Sequence, residues 1–497
     1  MKTKLSAKYV VAFDGTRHTM MKDAEVVYEG NEIVFVGRGY AGACGETHDF
    51  GDSLISPGFI DLDALGDIDH GLIHCEAPVS VQNHLQWSAA YYDKGPKEIM
   101  SADEEAFKSL YAYVQLIRYG ITTAMPITSV FYKEWAETYE EMAAAAHHAG
   151  KLGLRVYMGP SYQSGMRVVN SDGSWDVRFR EDEGRKGLER AVRFVKEFDG
   201  SYGGRVKGML APERIETQTK ENLIATKKAA GELGCLVRLH AAQGLFEYEW
   251  IKKHFGLSPL QFLDSIGFLD ARTLIPHALY VQGYSDIGGI PPGDDIALLA
   301  DKGASVIHCP LVYARSGIAL EWFGKYLDQG VNVSMGTDTF PPDILMNIKV
   351  GSFMARRVAR FKADAETKAR MPQGNTYADF YNAATLGGAK ALGRDDLGRI
   401  EAGAKADLIV IALGDLDIGP MDDPLRTLVN SGTPRDIRHS IIDGRFVMRD
   451  RKIEGIDEAK LRNQAQAYYD KMRLGYLERS DGSLTERQMF PSSFPSA

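Results

Sequence analysis

Acidic and imidazole side chains stand at the ends of successive short apolar runs in this chain, and those are the residues that could do chemistry. Asp61 and Asp63 follow Gly58-Phe59-Ile60, His240 closes the run from Cys235, His277 the run from Thr273, and His308 the run from Ala304; Asp338 follows Val331–Met335. Imidazoles and carboxylates converging on one place are what a divalent metal ion and an activated water molecule require. A single histidine after an apolar run is more often a buried structural residue. The same arrangement at consecutive runs is a pattern.

Positioning such groups needs a scaffold that brings the run ends together. Eight apolar runs precede residue 340: those above and Thr122–Met125, Leu154–Met158 and Val206–Leu210, with helical patterns between most of them, including Asp103–Tyr119, Lys133–Ala149, Gly187–Phe198 and Lys220–Leu233. Eight β/α units predict an α/β fold, a (β/α)8 TIM-type barrel, whose reactive groups lie at the C-terminal ends of the strands. The first 56 residues read differently, as short strands broken by Asp14-Gly15 and Gly30-Asn31, and strands return after residue 395 at Ala406–Ile411 and Arg438–Met448. Such turns signal antiparallel pairing. The expected organisation is a small discontinuous β-sandwich-like domain from 1–56 with 395–455, a barrel over 57–394, and a tail over 456–497 that is first helical (Asp457–Leu477) and then polar.

Composition narrows the class. Of 497 residues 44% are hydrophobic and 25% charged, an ordinary soluble balance, and the net charge of −9 argues against a nucleic-acid or anionic-membrane binder. No apolar run reaches the length of a membrane span. The four cysteines are far apart and lack CxxC spacing, so a reducing, cytoplasmic location is expected.

Ser56-Pro57-Gly58-Phe59-Ile60-Asp61 resembles the first barrel strand of the amidohydrolase superfamily, in its branch of cytosine and guanine deaminases and triazine hydrolases. Gly120-Ile121-Thr122-Thr123 resembles the second strand, Leu239-His240-Ala241-Ala242-Gln243 the fifth with its H-x-x-E motif, Pro276-His277-Ala278 the sixth, His308-Cys309-Pro310 the seventh and Met335-Gly336-Thr337-Asp338 the eighth. Ala384–Gly393, Gly398–Gly403, Lys405–Val410 and Ile442–Arg445 match the ending, so the motifs span nearly the whole chain in order. The resemblance implies a hydrolase of a non-peptide carbon–nitrogen bond (an amide, a cyclic amide or a heterocyclic amine), a small-molecule substrate and a homodimer.

The chain departs from that pattern where the metal belongs. The family's first strand carries H-x-H, whose histidines bind the ion; here those positions are Asp63 and Leu65, and Leu65 cannot coordinate. The proton-shuttling glutamate of H-x-x-E is Gln243, an amide that is no acid or base near neutral pH. Asp63, His240 and Asp338 remain as possible ligands. The expectation is a degenerate site with no ion or one weakly held divalent metal (Mn, Fe or Zn); its two carboxylates shift preference from zinc toward harder ions. His277 and Asp338 are the candidates for activating water, with His240 and Gln243 binding the carbonyl or ring nitrogen. A metal-independent lyase or isomerase, or a non-catalytic binding scaffold, are the alternatives.

His308, Arg315, Trp87 and His74 are the substrate-binding candidates. Arg315 could bind a substrate carboxylate or make a surface ion pair, and Trp87 could line a pocket or pack between helices. The segment Gly66–Glu76 is rich in acids and histidines; His70 and His74 would share a helical face, but Gly66 and Gly71 weaken a helix. It is either a polar loop over the mouth or the source of a replacement ligand, His70 or Asp67.

Overall fold

The structure, a computed structural model, describes residues 1–68, 85–95, 98–128, 137–284, 287, 293–321, 323–362, 375–480 and 482–494. Eight parallel strands form the barrel: Phe59–Leu65, Ile121–Ile127, Arg155–Met158, Val206–Pro212, Leu236–Arg238, Thr273–Pro276, Ser305–His308 and Asn332–Met335, each beside the next in chain order. Every residue of the first strand is buried. That follows from parallel strands lined by side chains within and covered by helices outside. Past the last strand the chain turns back onto the first: Asp338 N donates to Asp63 O at 2.7 Å, Thr337 N to Asp61 Oδ1 at 3.0 Å and Thr337 Oγ1 to Asp61 Oδ2 at 2.6 Å. Asp61 is thus the clip between first and eighth strands, and burial pushes its carboxyl up to about 7.

Local chemistry sets the helix ends. Ser101 and Glu104 form a capping box before Ala102–Arg118, and Thr138 and Glu141 do so before Tyr139–Leu152, which stops at Gly153 with φ 83°. The reciprocal bonds satisfy amides that the first turn leaves orphaned, and the left-handed stop suits a residue without Cβ. The helix over Lys220–Leu233 has the bounds read from the sequence.

The N-terminal strands and Leu408–Ala412, Ile437–Ile442 and Arg445–Met448 make one eight-stranded sheet, joined where Val410 pairs antiparallel with Ile55. Leu5, Val10, Val26, Ile55, Leu408 and Ile441 share its core. Arg155, on the third barrel strand, reaches the sheet through Asp407, with Nε–Oδ2 at 2.9 Å and Nη2–Oδ1 at 3.2 Å. The final long helix, Glu458–Arg479, buries Leu461, Met472 and Tyr476, and Ser88 Oγ donates to Ser480 O at 3.3 Å, so the tail lies against the segment that carries Trp87. No described helix is long and apolar enough to cross a membrane.

Candidate active site at the barrel mouth

The site is built where strands end and the backbone kinks. Strand five stops at Arg238 and strand six at Pro276, just short of the residues that matter. Ala242, His277, Ala278 and Asp338 all have left-handed φ, at 54°, 73°, 43° and 44°. Such angles cost energy for residues with a Cβ, and they cluster at sites where the surroundings enforce them. Here they turn the backbone so that imidazole and carboxylate point inward.

Asp63 is the centre of the cluster. Its Oδ2 lies 3.5 Å from His240 Nε2, 3.8 Å from His277 Nε2 and 3.8 Å from Cys309 Sγ. Asp338 Oδ2 is 3.5 Å from His277 Nε2. His240 Nδ1 sits 2.8 Å from the Glu213 carbonyl, which holds the proton on that nitrogen and leaves Nε2 as the lone-pair atom. Neither ring nitrogen of His277 has a hydrogen-bond partner among the described residues, although the ring is wholly buried.

Burial shapes the charges. It drives His277 well below the usual imidazole range, against the attraction of Asp63, so the ring is neutral. Asp338 is raised well above the carboxylate range by burial and by the negative charge of Asp63. Burial pushes Asp63 up as well, but His240, Arg238 and His277 outweigh it and hold the carboxyl down at about 2. Two neighbouring carboxyls therefore separate, one ionised and one holding a proton, the usual mark of divided acid and base roles.

The cluster fits one divalent ion. Asp63, His240 and His277 each offer a donor atom, and the three atoms lie within 4.8 Å of one another. A hard oxygen and two imidazole nitrogens suit a transition-metal ion. The convergent set holds His277 where the sequence reading put Asp338, which stands beside His277 instead. Leu65 lines the cavity wall and contributes no ligand.

The cavity above the cluster has a volume of about 320 Å³ and is lined by Leu65, Trp87, Met166 and Tyr313 on its apolar side. Its polar wall carries Glu213, Arg214, His240, Gln243 and Asp338. Arg214 Nε lies 2.8 Å from Glu213 Oε1, while Arg214 Nη1 donates to Gln243 Oε1. Glu213 Oε2 is buried without a partner among the described residues. Below the loop, Glu247 accepts from Ala242 N at 2.5 Å and Gln243 N at 2.9 Å, and burial raises its carboxyl to about 8.

The other candidates go separate ways. Trp87 lines the cavity. His308 packs against the stacked pair Phe323 and Phe380, with ring centroids 5.5 and 6.1 Å away, and faces a separate hollow of about 10 Å³. Arg315 donates to Thr339 Oγ1 and, at 3.2 Å, to Phe340 O, tying down the loop after strand eight. His70 and His74 lie outside the described residues. Asp67 forms a buried ion pair with Lys108 at 3.1 Å, and the same amine also contacts Glu105 and Glu141.

Arg238, Glu213, Arg214 and Glu247 were missed by the sequence reading. Only Arg238 had a signal, because it is two residues before His240 and so faces the same side of the strand.

The profile of the amidohydrolase family matches residues 54–447. The chain belongs to the amidohydrolase family. It is 28% identical over 366 residues to 5-methylthioadenosine/S-adenosylhomocysteine deaminase 2 of Archaeoglobus fulgidus, covering 73% of this chain and 76% of that one. It is also 28% identical over 372 residues to the 5'-deoxyadenosine deaminase of Methanosarcina mazei, covering 75% and 77%. Among solved structures, a zinc-bound adenosine deaminase from Xanthomonas campestris superposes with a TM-score of 0.74 at 20% identity, over 95% of this chain and 98% of that one. The atrazine chlorohydrolase of Arthrobacter aurescens, complexed with zinc, gives 0.73 at 18% identity over 94% and 100%. This amidohydrolase is an enzyme, a hydrolase of non-peptide carbon–nitrogen bonds that acts on a small molecule. The lyase, isomerase and binding-scaffold alternatives are not favoured.

Proposed function

We propose that this amidohydrolase removes an amino group hydrolytically from a nucleoside-like aromatic heterocycle, at a metal site simpler than its family's. The observation that carries the reading is the buried group Asp63, His240 and His277, with half-buried Asp338 beside His277, beneath a cavity with one aromatic and one polar wall. The named activities of the archaeal relatives support the substrate class. Asp63 and His240 would hold a divalent ion, which when bound would supply Lewis-acid polarisation of water, and His277 Nε2 would stay free for a proton.

The chain's own residues account for the protons. Neutral His277 takes the proton of the attacking water, whose oxygen bonds to the ring carbon bearing the amine. The carboxyl of Asp338 gives its proton to the departing nitrogen, and the 3.5 Å between Asp338 and His277 lets the proton return and reset the pair. Gln243 cannot shuttle a proton; it orients the ring while Arg214 fixes its carbonyl oxygen. Glu213 Oε2 supplies an acceptor for a ring or amino N–H. Trp87 stacks or packs against the ring. The family resemblance and the cysteine pattern extend the reading to a cytoplasmic homodimer.

Ammonia release from 5'-methylthioadenosine, S-adenosylhomocysteine and 5'-deoxyadenosine tests it, with Asp338→Asn as the control. Turnover of at least one, abolished in the variant, is expected. No ammonia from these or from a wider panel of amino-heterocycles would sink the assignment.

A further inference from the structure

Arg238 is an unexpected neighbour for a metal site. Its side chain is 3% exposed, and Nη1 lies 3.4 Å from Asp63 Oδ1. The guanidinium is anchored by donating to Met125 O at 2.9 Å and to Pro126 O at 3.3 Å, at the end of the second strand. Asp63 is therefore divided: Oδ1 faces a fixed cation, and Oδ2 faces the imidazoles. Arginine does not lose its proton in a protein, so this charge is permanent. With both groups buried, little water screens it. The one carboxylate among the convergent donors is therefore already partly neutralised.

We propose that Arg238 sets the charge of the site, offsetting Asp63 so that a divalent ion is held weakly. The inference rests on the reading that Asp63 and His240 hold that ion, with His277 beside it. It accounts for the loss of one ligand position to Leu65 without a collapse of the cluster: the guanidinium provides part of the positive charge that the ionised Asp63 requires. The opposite role is also physical, because Arg238 could instead orient Asp63 and strengthen binding, and the two roles predict opposite signs.

Equilibrium dialysis against zinc alone and manganese alone, with metal per chain counted by mass spectrometry, separates them. Arg238→Gln, which keeps a donor and loses the charge, is expected to bind about tenfold tighter or more, whereas Arg238→Lys stays near the parent. Weaker or unchanged binding in Arg238→Gln overturns the proposal. Asp63→His tests it without touching the anchor: with the carboxylate gone the guanidinium is unopposed, and binding weakens although a third imidazole has been added. Tighter binding there overturns it, and this variant decides the matter if Arg238→Gln fails to fold by circular dichroism. His240→Ala distinguishes the underlying reading. Metal bound by the parent, lost in His240→Ala and indifferent to Arg238 rejects Arg238's role alone; no metal on any variant rejects the ion site and this proposal together.

Discussion

Two buried arginine–aspartate pairs sit at opposite ends of the same barrel. Between barrel and sheet, Asp407 has both oxygens satisfied: Arg155 contacts them at 2.9 and 3.2 Å, and Asp443 N donates to Oδ1 at 2.7 Å. At the mouth, Asp63 Oδ1 has no hydrogen bond among the described residues and meets Arg238 only at 3.4 Å. An under-satisfied buried polar group costs about 1–3 kcal/mol, a cost that fold stability alone does not justify. The complete fork holds architecture together. The incomplete one holds Asp63 loosely from the Arg238 side, while its Oδ2 faces His240 and His277.

The comparison is tested most strongly by Asp338→Asn, which removes a proton carrier at the mouth. Turnover is expected to fall by about 10²–10⁴-fold, with the urea midpoint little changed. A variant that unfolds instead would give the mouth a structural role and erase the contrast.

At the other end, Asp407→Ala leaves the buried Arg155 guanidinium with Asp443 alone, at 3.5 Å. Breaking a buried pair in this way costs about 3–5 kcal/mol, read as a lower urea midpoint, while the folded fraction keeps its kcat. A loss of kcat without a loss of stability would reverse the two roles.

Gly336→Ala probes how tightly the mouth is packed. A Cβ there would meet Asp63 Cβ at 2.7 Å and Cys309 Sγ at 2.8 Å. Overpacking of this kind costs about 1–3 kcal/mol, and because Asp63 is the atom group displaced, kcat is expected to drop as well. Calorimetry and steady-state kinetics read the two effects. Unchanged values in both would show that Asp63 has room to move.

The smallest effect is one of pH. Burial holds His308 down at about 3 in the folded protein, below the value of about 6.5 for a free imidazole. Its contribution to stability is complete above the free value and is lost as pH falls toward the folded one. His308→Gln, which takes up no proton, is expected to show a shallower fall in urea midpoint below about pH 6.5. An identical acid limb would mean that His308 is not protonated as the protein unfolds.

The order of elements was legible because it depends on local rules. Alternating apolar runs and capped helices need only neighbouring residues, and the sequence alone located the barrel, the two-ended strand grammar and the polar strand ends at Asp63, His240, His277 and Asp338. It also revealed that Leu65 and Gln243 had departed from the family's chemistry. What those residues do now was not legible. That Asp61 clips the barrel shut, that Asp67 pairs with Lys108, and that Arg315 secures a loop are facts of long-range pairing between residues far apart in the chain. The placing of Glu213 and Arg238 around the cluster is of the same kind. Protonation is decided last of all, because a carboxyl's charge state depends on burial and on every charge folded around it, so Asp63 and Asp338, alike in sequence, become opposites only in the tertiary structure.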